Sequence, residues 1–283
     1  IARWYFSTVL SGVESVLQNA GMDLLLMSVS TPDGQTMIAR ADGRRRLTVR
    51  SDIVGSGVLR ITAPDPQAAA LLAPYAQQKE ALGATVVATA SDNLCLRRVP
   101  GSKRDTSRST LGDVCNGNER VNAQGGDIQQ IVAEAFLQQG KNYFGADLSI
   151  QNGGGVRVDL PKGKVTVKDV YTVLPFKNTL VQLNATGAEV KAALEDAVEG
   201  VVGPANNTGC YPYTGGLRWR LDLTQPKGKR LSHLEIRDKK GNYRPFDLKA
   251  TYKVATMSFL ADGNDSFTTR LNYRDCATGF LVA

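Results

Sequence analysis

The sequence predicts an α+β fold, a mixed sheet with flanking helices, preceded by a short helix–strand fragment. Three observations carry this expectation. Helical periodicity is confined to a few stretches, the last third is rich in strand-forming residues, and the two kinds of segment intermix without regular alternation. In chain order, Val9, Val13, Val16, Leu17 and Ala20 recur at helical spacing, Gly21 stops that helix, and Asp23-Leu24-Leu25-Leu26-Met27-Ser28-Val29 reads as a buried strand. A helix leading into an apolar strand is half of a parallel-sheet unit, without the strand that should precede it.

A different pattern begins at Leu47. Asp65-Pro66 opens a helix over 68–82, a linker that stops at Gly83, and 84–89 is β-rich. A second helix is expected over 127–138, with Ile128, Ile131, Val132, Ala135 and Phe136 on one face. Residues 146–150 read as a short strand. Thr186-Gly187-Ala188-Glu189 is a capping box opening a third helix that ends by Gly200. Strands are expected at 217–223, 231–236 and 252–257, and no internal repeat is evident. The organisation that follows is a fragment at 1–46, a connecting strand and linker helix at 47–83, and a domain at 84–283.

With 283 residues, 42% hydrophobic and 22% charged, the chain can bury a real core. No apolar run approaches the about 20 residues that cross a bilayer, and no signal peptide is expected in a chain opening on Ile1-Ala2-Arg3-Trp4. The formal charge of +7 invites a nucleic-acid reading. However, the cationic runs at 40–50 (Arg40, Arg44, Arg45, Arg46, Arg50) and 97–108 (Arg97, Arg98, Lys103, Arg104, Arg108) interleave no aromatics and sit on no DNA-reading helix. They read as solvated loops, with attraction of an anionic small substrate as a secondary role.

The four cysteines fall into two local pairs, Cys95 with Cys115 and Cys210 with Cys276. Two bridges would imply an oxidising compartment, periplasmic or extracellular; four buried thiols are the alternative. The only histidine, His233, lies in a strand-rich stretch and reads as a partly exposed structural residue, so a zinc site lacks ligands.

The most informative run is Gln151-Asn152-Gly153-Gly154-Gly155-Val156-Arg157. Three glycines mark a sharp bend or a close approach. An amide and a guanidinium flank them, both suited to oxyanions or polar ring edges. Taken alone, the run could equally be a solvated turn. Two segments fit it. Val173-Leu174-Pro175-Phe176 sets a ring after a proline, and Phe259-Leu260-Ala261-Asp262-Gly263-Asn264-Asp265-Ser266-Phe267 combines aromatics, glycine and carboxylate. Two phenylalanines can stack on a base, a carboxylate can hold ribose hydroxyls, Asn152 can read a ring nitrogen and Arg157 a phosphate.

These segments, with Leu180-Val181-Gln182-Leu183, resemble in order and spacing the C-terminal, nucleotide-recognising domain of the 5′-nucleotidase family over about residues 65–280. The resemblance implies that Phe176 and Phe259 sandwich the base and Asp265 holds the ribose. It also implies that Asn152 touches base or sugar, with Gly154 in the same loop, and that Arg157 faces the phosphate. A further arginine upstream is matched by Arg120 from its spacing to Gly125, with Arg108 as fallback. The family carries two divalent metal ions on Asp, His and Asn ligands of an N-terminal domain, and those motifs are not in this sequence. The chain is therefore expected to hold no cofactor, to bind a nucleoside or nucleotide, and to hydrolyse nothing by itself. A 2′,3′-cyclic nucleotide phosphodiesterase with 3′-nucleotidase activity has a similar C-terminal domain and is the alternative within the class.

Residues 1–38, with Trp4-Tyr5-Phe6, Leu10-Ser11-Gly12-Val13-Glu14 and Gly21-Met22-Asp23-Leu24, resemble the start of a lactose-repressor-type effector-binding domain. That resemblance makes a repressor-like or solute-binding module the alternative of another class. The joining of the two resemblances suggests a spliced, truncated or misassigned chain. A structural domain whose glycine run is a plain turn is the third alternative.

Overall fold

The chain divides into two units, Ile1–Ala81 and Leu82–Ala283. The computed structural model describes residues 66–102, 105 and 108–267, together with the backbone of four strands outside those ranges. In the first unit, strands Leu25–Val29 (β1), Thr36–Arg40 (β2) and Thr48–Arg50 (β3) form an antiparallel meander, β1 on β2 and β2 on β3. This corrects the expected half of a parallel unit. The six residues joining β1 to β2 are too few for a parallel crossover, which takes about a dozen. The helix expected before Gly21 lies outside the described residues. Helix Pro66–Gly83 (α1) starts on proline, whose missing N–H has no partner to lose in a first turn.

The second unit is built on a five-stranded mixed sheet. Its order is Phe280–Leu281 (β13), Thr179–Thr186 (β7), Thr251–Met257 (β12), Leu148–Asn152 (β5) and Pro212–Gly215 (β8). Only β12 and β5 run parallel; the other pairs are antiparallel. All five residues of β5 are buried, as befits a strand covered on both faces.

Helix Asp127–Phe144 (α4) lays Ile128, Val132, Phe136 and Leu137 into the core. It runs six residues past the expected end because its polar last turns stay wet. Gly140 there abuts β12, where a Cβ would stand 2.6 Å from that of Ala255, and Gly145 closes the helix at φ 66°. Helix Gly187–Val202 (α6) opens on the expected capping box. The Thr186 hydroxyl accepts from Glu189 N–H at 3.3 Å, and the Glu189 carboxylate accepts from Thr186 N–H at 2.7 Å. It buries Val190, Leu194, Ala197, Val198 and Val201. Gly200 does not end it. That glycine lets the helix back onto a loop, since a Cβ there would lie 2.6 Å from Ser266 Oγ.

Around this core lie a three-stranded sheet of Leu217–Leu221 (β9), Leu231–Arg237 (β10) and Tyr243–Pro245 (β11), and a ribbon of Val86–Ala90 (β4) with Gly163–Thr166 (β6). Short helices Asp113–Asn116 (α2), Glu119–Gln124 (α3), Val167–Val173 (α5) and Ser258–Ala261 (α7) complete the unit. His233 is exposed at φ 50° in the β10 irregularity, with Ser232 Oγ 3.2 Å from its Nδ1.

Cys95 and Cys115 form a disulfide, buried against Val121 and Leu111. The second expected bridge is not made. Cys210 is a free, buried thiol that donates to Ser266 Oγ at 3.7 Å, and Cys276 lies outside the described residues. The existing bridge closes a loop of 20 residues that carries Arg97, Arg98 and Arg108. Replacing both cysteines by serine should cost about 3 kcal/mol in urea unfolding, from the entropy the bridge removes from the unfolded chain.

Candidate functional site

The sheet register brings three chain segments to one edge. Ala255 is level with Ser149 in the parallel pair, and Met257 faces Leu180 in the antiparallel one. The C-terminal ends of β5 and β12 and the start of β7 therefore meet. This is where open α/β sheets place ligands, because loops leave the sheet there in different directions. Asn152 ends β5, Phe176 lies just before β7, and Phe259 lies just after β12. Two bonds lock the latter segments: Asn178 Nδ2 donates to Met257 Sδ at 3.1 Å, and Thr179 N–H to Ser258 Oγ at 3.2 Å. Both phenylalanines are partly exposed.

The glycine run turns as a single 3₁₀ step, Gly153–Gly155, and none of the three has a positive φ. Close approach is what excludes a side chain. A Cβ at Gly154 would lie 2.8 Å from Gly209 Cα, and one at Gly155 would lie 2.4 Å from Gln151 Nε2. The turn aims Arg157, whose guanidinium donates to Gly154 O at 3.0 Å and sits 5.7 Å from the Phe176 ring centroid.

Asp265 is the hub of this edge. Its carboxylate accepts from Asn152 Nδ2 at 2.5 Å and from Asn207 Nδ2 at 3.3 Å, reaching across 113 residues to β5. Two amide donors leave a carboxylate about two further acceptor positions. Asp265 and Ser266 hold φ of 51° and 64°, a strained pair of the kind found at ligand loops. The buried Asn152 Oδ1 has no protein partner, so it can accept from a ligand.

A cationic cluster adjoins. Arg98 is buried, its N–H held by Asp105 at 2.6 Å while the buried Asp105 carboxylate also accepts from Arg108. Burial pushes the Arg98 guanidinium down to about 10. Repulsion from Arg108 and Arg157 adds to this, and Asp105 and Asp265 partly offset it. Arg98 Nε has no partner. A guanidinium crowded by two others, with a donor unspent, is chemically suited to an anion.

The expected residues Asn152, Gly154, Arg157 and Asp265 are thus brought together, with Phe176 joined through Arg157 and Phe259 on the adjoining helix α7. Arg120 is committed elsewhere. Its guanidinium makes a bidentate pair with Asp127 at 2.7 and 3.1 Å, and the fallback, Arg108, lies in the cationic cluster instead. The loop at 97–108 is not simply solvated. Arg97 is buried, its side chain donating to Val99 O at 3.2 Å and to Ser102 O, while its carbonyl accepts from Tyr213. Asn207 was not anticipated, since its partner Asp265 lies 58 residues away; Arg98 was expected only as one cation of the run at 97–108, with attraction of an anionic small substrate as a secondary role. Among the described residues, no group of three His, Cys, Asp or Glu side chains could hold a metal ion, and no helix is long and apolar enough to cross a membrane.

Behind Asp265, burial pushes the Cys210 thiol from 9.0 up to about 11. The Asp265 charge adds to that rise and the Ser266 bond opposes it. Burial also raises Tyr211 and Tyr213. A raised folded value means the contribution is whole below about pH 9 and lost as pH climbs through 11. Urea midpoints should fall over that interval, with ~2 kcal/mol from the thiol, and Cys210→Ser should make the fall shallower.

Residues 104–271 match the family described as 5′-nucleotidase, C-terminal domain, across more than half of the chain. A probable 5′-nucleotidase of Treponema pallidum (strain Nichols) is 34% identical over 207 residues, 72% of this chain and 32% of that protein. The NAD 5′-nucleotidase of Haemophilus influenzae is 32% identical over 201 residues, 70% of this chain and 31% of its own length. The chain thus spans about a third of the curated relatives it matches. Among solved structures, a 5′-nucleotidase precursor from Thermus thermophilus superposes with a TM-score of 0.57 at 27% identity, covering 90% of this chain and 48% of that one. With the fold, the matched span and these relatives in agreement, this chain belongs to the 5′-nucleotidase C-terminal domain family.

Proposed function

We propose that this chain recognises the substrate, a nucleoside or nucleotide, for a 5′-nucleotidase-type phosphohydrolase. One observation carries the reading: the Asp265–Asn152–Asn207 hydrogen-bond hub adjoins the Arg98–Arg108–Arg157 cluster at the edge that also bears Phe176 and Phe259. Such a site offers acceptors for vicinal hydroxyls, cations for phosphate and apolar faces for a flat ring. In this assignment Phe176 and Phe259 hold the base, Asp265 the ribose, Asn152 the base or sugar, and Arg157 with Arg98 the phosphate. Arg120 orients Asp127 and leaves the phosphate to these two.

The hydrolytic step and its two divalent metal ions are assigned to a separate domain of the kind that family carries, because this sequence has one histidine and lacks the ligand motifs. A periplasmic or extracellular setting fits the Cys95–Cys115 bridge.

Calorimetric titration with adenosine, AMP and simple sugars tests the reading. Phe176→Ala and Phe259→Ala should each weaken both adenosine and AMP about tenfold, the scale of one lost stacking contact. Arg157→Gln should weaken AMP while sparing adenosine. Sugar binding with no response to adenosine or AMP overturns the proposal. Added Mn²⁺, Co²⁺ or Zn²⁺ should leave AMP intact in the presence of the purified chain; rapid metal-dependent phosphate release would refute the division of labour.

A further inference from the structure

Residues 95–98 bring Arg98 to the site, yet they lie in no helix or strand. Their four successive N–H groups go to side chains instead. Cys95 donates to Asp127 Oδ2 at 3.3 Å, Leu96 to Asp159 Oδ1 at 2.5 Å, Arg97 to Gln129 Oε1 at 3.3 Å and Arg98 to Asp105 Oδ2 at 2.6 Å. A strand ladder would satisfy these groups without burying carboxylates, so the side-chain acceptors serve to fix where the segment lies.

The peptide unit between Arg97 and Arg98 is held from both sides. Its N–H donates to Asp105, and its carbonyl accepts from the Tyr213 hydroxyl and from Gly126 N–H at 3.3 Å. Asp105 and Tyr213 are both buried. Arg98 leaves this clamp against the glycine turn, where its Cα and Cβ would each lie 3.4 Å from a Cβ at Gly153. Its guanidinium is within electrostatic reach of Arg157 and Asp265. The other Asp105 oxygen accepts from Arg108 Nε, so one buried carboxylate fixes Arg98 through its backbone and Arg108 through its side chain. By charge alone Asp105 is unfavourable here, because a carboxylate beside a phosphate repels it.

We propose that Asp105 is a positioning residue that sets the preference of this site for nucleotides over nucleosides. It holds Arg98 and Arg108 in fixed places, and cations so preorganised lose less freedom on meeting a phosphate than two mobile side chains do. The inference rests on the nucleotide reading above. Asparagine at 105 keeps the shape but offers one acceptor oxygen to two donors, so one of the two arginines is released.

Calorimetric titration with AMP and adenosine tests this. The wild type should bind AMP more tightly than adenosine. Asp105→Asn should weaken AMP about tenfold, the scale of one charge-assisted hydrogen bond, and leave adenosine unchanged. A purely electrostatic effect has the opposite sign, since the substitution removes a negative charge. With Arg98→Gln and Arg108→Gln already in place, Asp105→Asn should have no further effect on AMP, whereas a merely structural role would weaken both ligands in either background. Tyr213→Phe loosens the other side of the same peptide without altering charge. It should lower AMP affinity and spare adenosine, and it carries the test if Asp105→Asn does not fold. A ratio of AMP to adenosine affinity that is unchanged or raised overturns the Asp105 assignment alone, as does a wild type with no preference for AMP. If the wild type binds neither ligand, the reading beneath the assignment falls with it.

Discussion

The parallel pairing of Leu148–Asn152 with Thr251–Met257 is the constraint on which the site depends. A parallel pair sends two chain ends out of the same edge, and the antiparallel strand Thr179–Thr186 begins at that edge as well. Asn152, Phe176, Phe259 and Asp265 are scattered over more than a hundred residues, yet they need only short loops to meet. The pairing is held by some of the driest residues in the molecule, Leu148, Val254 and Ala255, with helix Asp127–Phe144 packed over them. Closing so long a segment costs chain entropy that grows only slowly with length, so the core can carry it and still leave the edge free.

What the core supports at that edge is locally unfavourable. Asp265 and Ser266 hold positive φ, and Arg98 is buried with an unspent donor under the repulsion of Arg108 and Arg157. None of these features stabilises the free fold. In the reading proposed above, a ligand with an anion at one end and hydroxyls near the other offsets them, since a ligand that binds only the folded chain stabilises it by mass action. The buried carboxylates Asp105 and Asp159 limit the damage. Asp105 ties down Arg98 and Arg108, and Asp159 accepts from Leu96 N–H at 2.5 Å and from Thr110 N–H at 2.8 Å. With the Cys95–Cys115 bridge they fix a loop that has little regular structure of its own.

Much of this was legible in the sequence, and what was not has a common cause. The capping box at Thr186, the amphipathic face of Ile128, Val132 and Phe136, and the strand at 252–257 are local signals, each complete within a few residues. The glycine run was legible as a close approach, but its partner, Gly209, could not be read from it. Arg98 looked like one more cation in a solvated run because its burial is decided by residues far along the chain. Arg120 has the spacing the resemblance asks for, yet Asp127, at the start of the next helix, takes its guanidinium first. Leu25–Val29 has the composition of a strand, but composition carries no direction, and the short link to Thr36–Arg40 decided for the antiparallel pair.

The groups at this edge also say what kind of work it can do. Guanidinium and amide groups bind and orient, but neither takes up a proton at neutral pH. The carboxylate of Asp265 is already shared between two amides, and the Cys210 thiol behind it is pushed away from the thiolate by burial and by that same carboxylate. In the reading proposed above, such a site supplies contacts to parts of a substrate remote from the reacting phosphorus. Binding energy of that kind accelerates a reaction when it is spent on orientation at the reacting centre. In that reading, the strain around Asp265 and Arg98 serves as preorganisation for a ligand, with the chemistry left to groups elsewhere.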